Sequence, residues 1–440
     1  MCPFKVHLIH VGNMANKGTQ ALLMSDISVI KDVLKGNVAF SVSTTDVEGV
    51  SQLHLPLEAV LPCIIDIPYE RADYYAKKFR FTRESLRYKS FAIASLISMP
   101  IQMILSLISV ILVKVGLKAF YRAEVLERLK GCRVVVSYSD DNFKESASLL
   151  PLNIYWLVTW WSMLISRTWE IFIAKFLSKP VVVFPNSVGP FRTWIGRLLS
   201  KIALNLCDYI LVREPISYDR IKTLGIKVPT ILTTDTTLLF NSKGAMLPEN
   251  YGTPVVGASP GFYSHSLSKS EVGKYVLAHA KALDKAIEKY RFSVVFMPHY
   301  VSGFRYDDLE ICKLVLSKMK KADKAKIINA SNVEEFKALI NQMDMVISSR
   351  MHPAVLAASG YVPALCIIYD HKQSGFLMSL GLSECAISIS EVSFETLLSK
   401  IDYVWNSRDK IRKLLKKEVP ELQKQLRMSI AFALARALEL

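Results

Sequence analysis

The run Met345-Val346-Ile347-Ser348-Ser349-Arg350-Met351-His352-Pro353 ends an apolar strand-like segment and opens a helix, with Pro353 suited to the first turn. Arg350 and His352 stand two apart at the strand end, so both can project into one site. Arg350 brings a permanent charge and His352 a proton switch. Tyr369-Asp370-His371-Lys372 follows the next apolar run. Two neighbouring strand ends therefore deliver Arg, His, Asp, His and Lys to one rim, a set that can bind an anion and move a proton.

Four other polar clusters follow apolar runs. Gly12 to Gln20 contains Asn16, Gly18 and Thr19 between a first strand and its helix. Glycine and threonine there expose backbone N–H groups that suit a phosphate or carboxylate, or serve as an ordinary capped turn. The spacing is neither G-x-G-x-x-G nor a Walker motif, so a dinucleotide is not implied. Ser137 to Asn142 places Asp140 and Asp141 where carboxylates can hold a sugar hydroxyl, act as a base, or form a turn. Asn186 to Phe191 offers Ser187 and the Gly189 amide. Leu211 to Ser217 ends a buried strand at Arg213, an expensive place for a guanidinium without an anion. Arg213 and Glu214 are adjacent on a strand and point opposite ways, so a ligand anion is the preferred partner for Arg213.

The elements behind these clusters alternate strand, turn and helix. Strand-like runs are read at Lys5–Gly12, Val38–Val42, Arg133–Tyr138, Pro180–Phe184 and Tyr209–Val212. A polar stretch, Asn241–Pro254, reads as a linker. A second series follows at Val255–Ala258, Ser293–Met297, Lys326–Ile328, Met345–Ile347 and Pro363–Ile368. The pattern predicts an α/β protein of two Rossmann-like domains facing across a cleft. They occupy residues 1–240 and 250–407, and 408–440 follows as a basic amphipathic helix, with a solvated helix packed on the body as the alternative. Ligands of such sheets gather at the carboxyl ends of strands, where the clusters lie.

At 440 residues, 51% hydrophobic and 21% charged, the chain is neither disordered, collagen-like nor a disulfide scaffold. Its 7 Cys show no metal-ligand spacing, so scattered thiols in a reducing compartment and no metal are expected. The net charge of +16 accompanies a positive mean hydropathy. Basic residues beside apolar helices point to a membrane surface rather than to nucleic acid. No signal peptide is read at the N-terminus, so a cytoplasmic start is expected.

The apolar excess sits in an insertion of the first domain, about residues 71–130. Ser90–Val113 runs 24 residues without a charge and has Lys and Arg on both flanks. Pro100 near its middle suggests a broken or re-entrant helical pair. A monotopic anchor at the cytoplasmic membrane face is the favoured reading, with a transmembrane span and a buried core hairpin as alternatives. Ser146–Ser166 carries Trp156, Trp160 and Trp161, and reads equally as a core helix or as indoles at a headgroup boundary.

These motifs resemble the polysaccharide pyruvyltransferases, which have a GT-B-like architecture. The resemblance rests on Asn16 to Thr19, on S-x-G-P at Ser187 to Pro190 and on V-R-E-x-x-S at Val212 to Ser217. It rests also on Asp235, on Pro298-His299 before Asp307-Asp308, and on Ser348 to His352, Gly360 to Pro363 and Tyr369 to Lys372. It covers most of the chain and weakens through residues 48–130. Where the family commonly has G-G-D, this chain has Tyr138-Ser139-Asp140, side chains expected to narrow or alter the acceptor site.

The resemblance implies transfer of a pyruvyl group from phosphoenolpyruvate to hydroxyls of a sugar in a polysaccharide or lipid-linked glycan, usually as a ketal, without a cofactor. It assigns donor binding to Arg213, Arg350, Lys372 and Ser349, and proton transfer to His352 and Asp140. Acceptor binding falls to Asn16, Gly18, Thr19, Asp141, Ser187 and His299. A nucleotide-sugar glycosyltransferase of the same architecture and an inactive membrane-associated scaffold are the competing readings.

Overall fold

A computed structural model describes residues 3–67, 84–145, 154–242, 254–261, 269–302 and 307–439. The predicted linker falls mostly outside them. The first domain runs β1 (Phe4–Val11), α1 (Lys17–Leu34), β2 (Val38–Thr44), α2 (Val47–Gln52), β3 (Leu57–Pro62), α3 (Glu84–Lys114), α4 (Ala123–Gly131), β4 (Val134–Ser137), α5 (Ile154–Phe176), β5 (Val181–Asn186), α6 (Trp194–Asn205), β6 (Tyr209–Val212), α7 (Pro215–Leu224) and β7 (Thr230–Leu232). The second runs β8 (Val255–Ser259), α8 (Lys269–Tyr290), β9 (Ser293–Phe296), α9 (Asp308–Lys318), β10 (Ala325–Ile327), α10 (Val333–Ile340), β11 (Met345–Ser348), α11 (Met351–Ser359), β12 (Ala364–Ile368), α12 (His371–Ser379), β13 (Ala386–Ser388), α13 (Phe394–Asn406) and α14 (Arg408–Ala437).

All pairings within the two sheets are parallel, in the orders β3-β2-β1-β4-β5-β6-β7 and β10-β9-β8-β11-β12-β13. Central strands such as β4 and β5 are buried throughout, which is why they read as unbroken Val runs. Each order reverses once, between β1 and β4 and between β8 and β11. Ligands of open parallel sheets bind at such reversals. Asn16 and Asp140 follow the first pair, and Arg350 and His352 follow β11 in the second.

One expectation is corrected, and two readings that the sequence left open are narrowed. Pro100 does not break the apolar stretch: α3 is one continuous helix through it, because a proline removes one intrahelical hydrogen bond without forbidding the helix. Trp160 is buried, and Trp161 donates its indole N–H to Glu145 at 2.8 Å, which favours the core-helix reading of that stretch; the side chain of Trp156 lies outside the described residues. Helix α14 packs on the body, one of the two readings open for it. Its Ile411, Leu415 and Val419 complete the second domain's core, and Leu426, Ile430 and Leu434 enter the core of the first. Gln423 and Gln425 donate to the carbonyls of Leu238 and Leu232 on the way.

Candidate active site

Asn16 caps α1, its Oδ1 accepting the Gly18 N–H at 2.9 Å. The same turn is stitched to the second domain. Asn16 pairs with Tyr300 in an antiparallel bridge, and Lys17 Nζ donates to the Pro298 carbonyl at 3.2 Å. The Gly18 N–H is therefore used within the fold, and it is not free for the phosphate or carboxylate foreseen there. Thr19 is buried beneath. Gly18 allows a close approach instead. A Cβ on it would lie 2.1 Å from His352 Nδ1, so the helix backbone and the imidazole meet only because this residue has no side chain.

Beyond β4, Tyr138 does not narrow the cleft. Its ring is packed in the core beneath α1, and its hydroxyl donates to the Thr19 carbonyl at 3.0 Å. Ser139 turns the same way and donates from its N–H and Oγ to Asp26. The side chains that replace the family's two glycines fill the domain interior. Asp141 accepts from Lys372 Nζ at 2.7 Å across the cleft, and from Lys144. Burial pushes the Asp141 carboxyl up, but Lys144, Lys372 and Arg213 outweigh it and hold it well below its ordinary value. Asp140 moves the other way, raised by burial and by the charge of Asp141.

Arg213 is fully buried at the end of β6. Its Nε donates to Ser187 Oγ and its Nη1 to Asp235 Oδ2, each at 2.8 Å. Glu214 points away, as foreseen, and caps α7 by accepting the Ser217 N–H. The guanidinium is nevertheless neutralised from within, by Asp235, so its burial does not require a ligand anion. Asp235 is itself held by the Thr237 N–H and hydroxyl. Ser187 is thereby a prop for Arg213. What remains is Nη2, buried and without a hydrogen-bond partner among the described residues.

In the second domain, Arg350 pairs with Asp308, Nη2 to Oδ1 at 2.8 Å, and reaches the Tyr369 hydroxyl at 3.3 Å. Burial opposes its charge; Asp308 and Tyr369 more than restore it. Ser349 Oγ hydrogen-bonds the Tyr275 hydroxyl at 2.5 Å and is buried. His352 stands at the start of α11 with Nε2 buried and unpartnered among the described residues. Burial lowers its pKa to about 4, against the pull of Asp235 and with the push of Arg213. His299 lies parallel to it, ring centroids 6.0 Å apart, both of its nitrogens likewise unpartnered. Burial first, then His352 and Lys17, keep His299 neutral.

One charged neighbourhood thus gathers Arg213, Asp235, Asp140, Asp141, Lys372, His352 and His299. Asp308, Lys17 and Lys144 belong to it and received no role from the sequence. Asp308 and Lys17 stood inside motifs quoted from the sequence and so had a readable signal, whereas Lys144 had none beyond its place three residues past Asp141.

The family model described as polysaccharide pyruvyl transferase matches residues 58–371. The chain belongs to the polysaccharide pyruvyl transferase family. It is 20% identical over 265 residues to the amylovoran biosynthesis protein AmsJ of Erwinia amylovora, a match that covers 56% of this chain and 63% of that protein. In three dimensions it is similar to a putative UDP-N-acetylglucosamine 2-epimerase from Listeria monocytogenes, with TM-score 0.59 and 12% identity over 99% of this chain and 96% of that one. A UDP-GlcNAc 2-epimerase from Neisseria meningitidis bound to UDP-GlcNAc gives TM-score 0.56 and 11% identity over 98% and 100%. These likenesses show the GT-B-like two-domain fold.

For a pyruvyl transferase family member, the chemically telling feature is contrast within one site. Fixed cations, Arg213 and Lys372, sit beside a neutral imidazole and a carboxyl of raised pKa. Such a site can hold an anion, donate or accept a proton at His352, and accept one at Asp140.

Proposed function

We propose that the protein transfers a pyruvyl group from phosphoenolpyruvate to two hydroxyls of a sugar in a polysaccharide or lipid-linked glycan, closing a ketal. Family membership supports the reaction class. The observation that carries the reading is the pair of buried nitrogens Arg213 Nη2 and His352 Nε2, both without a hydrogen-bond partner among the described residues, with Lys372 beside them.

Phosphoenolpyruvate brings a phosphate and a carboxylate. Arg213 Nη2 and Lys372 bind these anions, and Arg350 shares the field while anchored on Asp308. The donor's negative charge raises the low pKa of His352, so the imidazole gains its proton together with the donor. Protonation of the methylene carbon makes the methyl group and an oxocarbenium-like centre, which the first sugar hydroxyl attacks. Asp140 accepts the hydroxyl proton. The C–O bond to phosphate then breaks, and the second hydroxyl closes the ring. Of the two hydroxyl protons, one ends on the methyl carbon and one on inorganic phosphate. His299 lines the acceptor's side of His352. The acceptor is carried on a lipid at the cytoplasmic face of a membrane, in keeping with the apolar and basic insertion.

The test is phosphate release from phosphoenolpyruvate by purified protein supplied with a glycolipid or oligosaccharide extract, beside His352→Ala. Acceptor-dependent release that falls by roughly 100-fold or more in the variant is expected. Release of UDP or GDP from a nucleotide-sugar panel, with phosphoenolpyruvate untouched, overturns the donor assignment.

A further inference from the structure

Helix α3 is long and apolar enough to cross a membrane, yet the fold argues against crossing. β3 ends at Pro62 and β4 begins at Val134 in the same sheet, so the chain must return to the side it left. One side of α3 is also committed to the domain. Ala92, Met99, Val110 and Val113 are buried, Ser106 accepts the Trp169 indole N–H, and Gln102 exchanges hydrogen bonds with the backbone of Asp66.

The other side is bare. Ile93, Ile97, Ile101, Ile104, Ile108, Ile111 and Val115 recur every three or four residues and are all exposed, Ile97 by 64%. Helix α5 contacts both α3 and α6, and residues of all three enter one core cluster with the sheet, so they form one contiguous helical layer. On α6 a second bare stripe runs through Trp194, Leu198 and Ile202, with Trp194 72% exposed. No charged residue lies between Ala92 and Val113, and no acidic one between Trp194 and Asn205. Exposed Lys114 and Lys118 follow the first stripe, and exposed Arg197 and Lys201 flank the second.

We infer that this layer docks on an anionic lipid bilayer as a monotopic surface, with α3 and α6 lying in the plane of the interface. An unbroken aliphatic stripe suits acyl chains, an indole at the rim suits the headgroup boundary, and Lys and Arg without acidic neighbours suit anionic headgroups. Such helices immerse about 5–10 Å of their apolar side. The docked layer connects to the cleft. Glu145, four residues past Asp141, accepts from the Trp161 indole on α5 and from the Thr193 N–H that precedes α6. The loop that carries Asp140 and Asp141 is thereby held against the membrane-facing helices, beside any sugar presented on a lipid.

The inference does not depend on the donor chemistry, and its test is separate. Purified full-length protein is floated with vesicles of phosphatidylcholine alone or roughly equimolar with phosphatidylglycerol, with and without about 0.5 M salt. Preferential, salt-weakened flotation with the anionic vesicles is expected. Ile97→Glu/Ile104→Glu and Trp194→Ala/Leu198→Glu should each lower it by about tenfold, with unchanged circular dichroism. Quenching by bromolipids should fall in Trp194→Phe. Wild-type protein that stays out of the vesicle fraction, or variants that float equally well, overturn the inference. So does a defined oligomer that the α3 variant dissociates, because the face would then belong to a protein partner.

Discussion

Arg213 shows how a buried charge can be both structural and available. Two of its three nitrogens are held by Ser187 and Asp235, which fixes the plane of the guanidinium and aims Nη2. The fixed plane allows the residue to recognise an anion without reorganising. Gly18 has the complementary part, giving His352 its room. Gly18→Ala overpacks this buried contact, so it should destabilise the fold by about 1–3 kcal/mol. The added Cβ, 2.1 Å from Nδ1, must push the imidazole aside. A displacement of that order lowers kcat/KM by roughly 10- to 100-fold. Steady-state kinetics beside a melting curve checks both halves; a folded variant with full activity would show that His352 does not need its place.

At the scale of elements, α14 is the part whose role exceeds its appearance. Its first half closes the second core and its second half the first, so the helix ties the domains that bear the two halves of the site. Leu426 and Ile430 are fully buried in the first domain. Truncating either to alanine should cost roughly 2–5 kcal/mol by loss of burial and by the cavity left behind. Urea denaturation followed by probes in each domain should show the first domain weakened. The same element was only half legible in the sequence. Its alternation of basic and apolar residues is visible in the chain, but a helix that packs on two domains in turn has the pattern of one that packs on none for half its length. The strands missed from sequence, β3 and β13, are both sheet edges. An edge strand is covered on fewer sides and needs no continuous apolar run, so the signal that exposed β4 and β5 is absent there.

For the whole molecule, pH dependence follows from its buried histidines. Burial lowers His7 and His10 to about 3 and His279 and His352 to about 4, from an ordinary 6.5. In the unfolded chain they take up protons as pH falls below about 6.5, while in the folded chain they resist until about 4 or 3. Protons therefore favour the unfolded state across that window, and stability falls as pH drops from 6.5 towards 4. Asp26, raised by burial to about 7, opposes the trend, because its folded form holds a proton between about 3.8 and 7. Asp140, also raised, acts with Asp26, and His299, also lowered, acts with the other histidines, which outnumber the two carboxyls. The urea midpoint should fall steadily from pH 7 to pH 5; a flat or rising profile would mean that these rings are solvated in the folded protein.

The sequence by itself determined the alternation of strand and helix, the two parallel sheets and the strand ends on which chemistry could stand. Those features follow from local periodicity and from burial on both faces of a central strand, which leave their record in consecutive residues. Only the tertiary structure decided which charge meets which. Asp235 rather than a ligand neutralises Arg213, Asp308 fixes Arg350, and Lys372 reaches across the cleft to Asp141. It likewise decided that Tyr138 fills the core and that one side of α3 remains bare. Such pairings join residues far apart in the chain, and their energy depends on distance and burial in the folded protein, quantities that no run of neighbouring residues encodes.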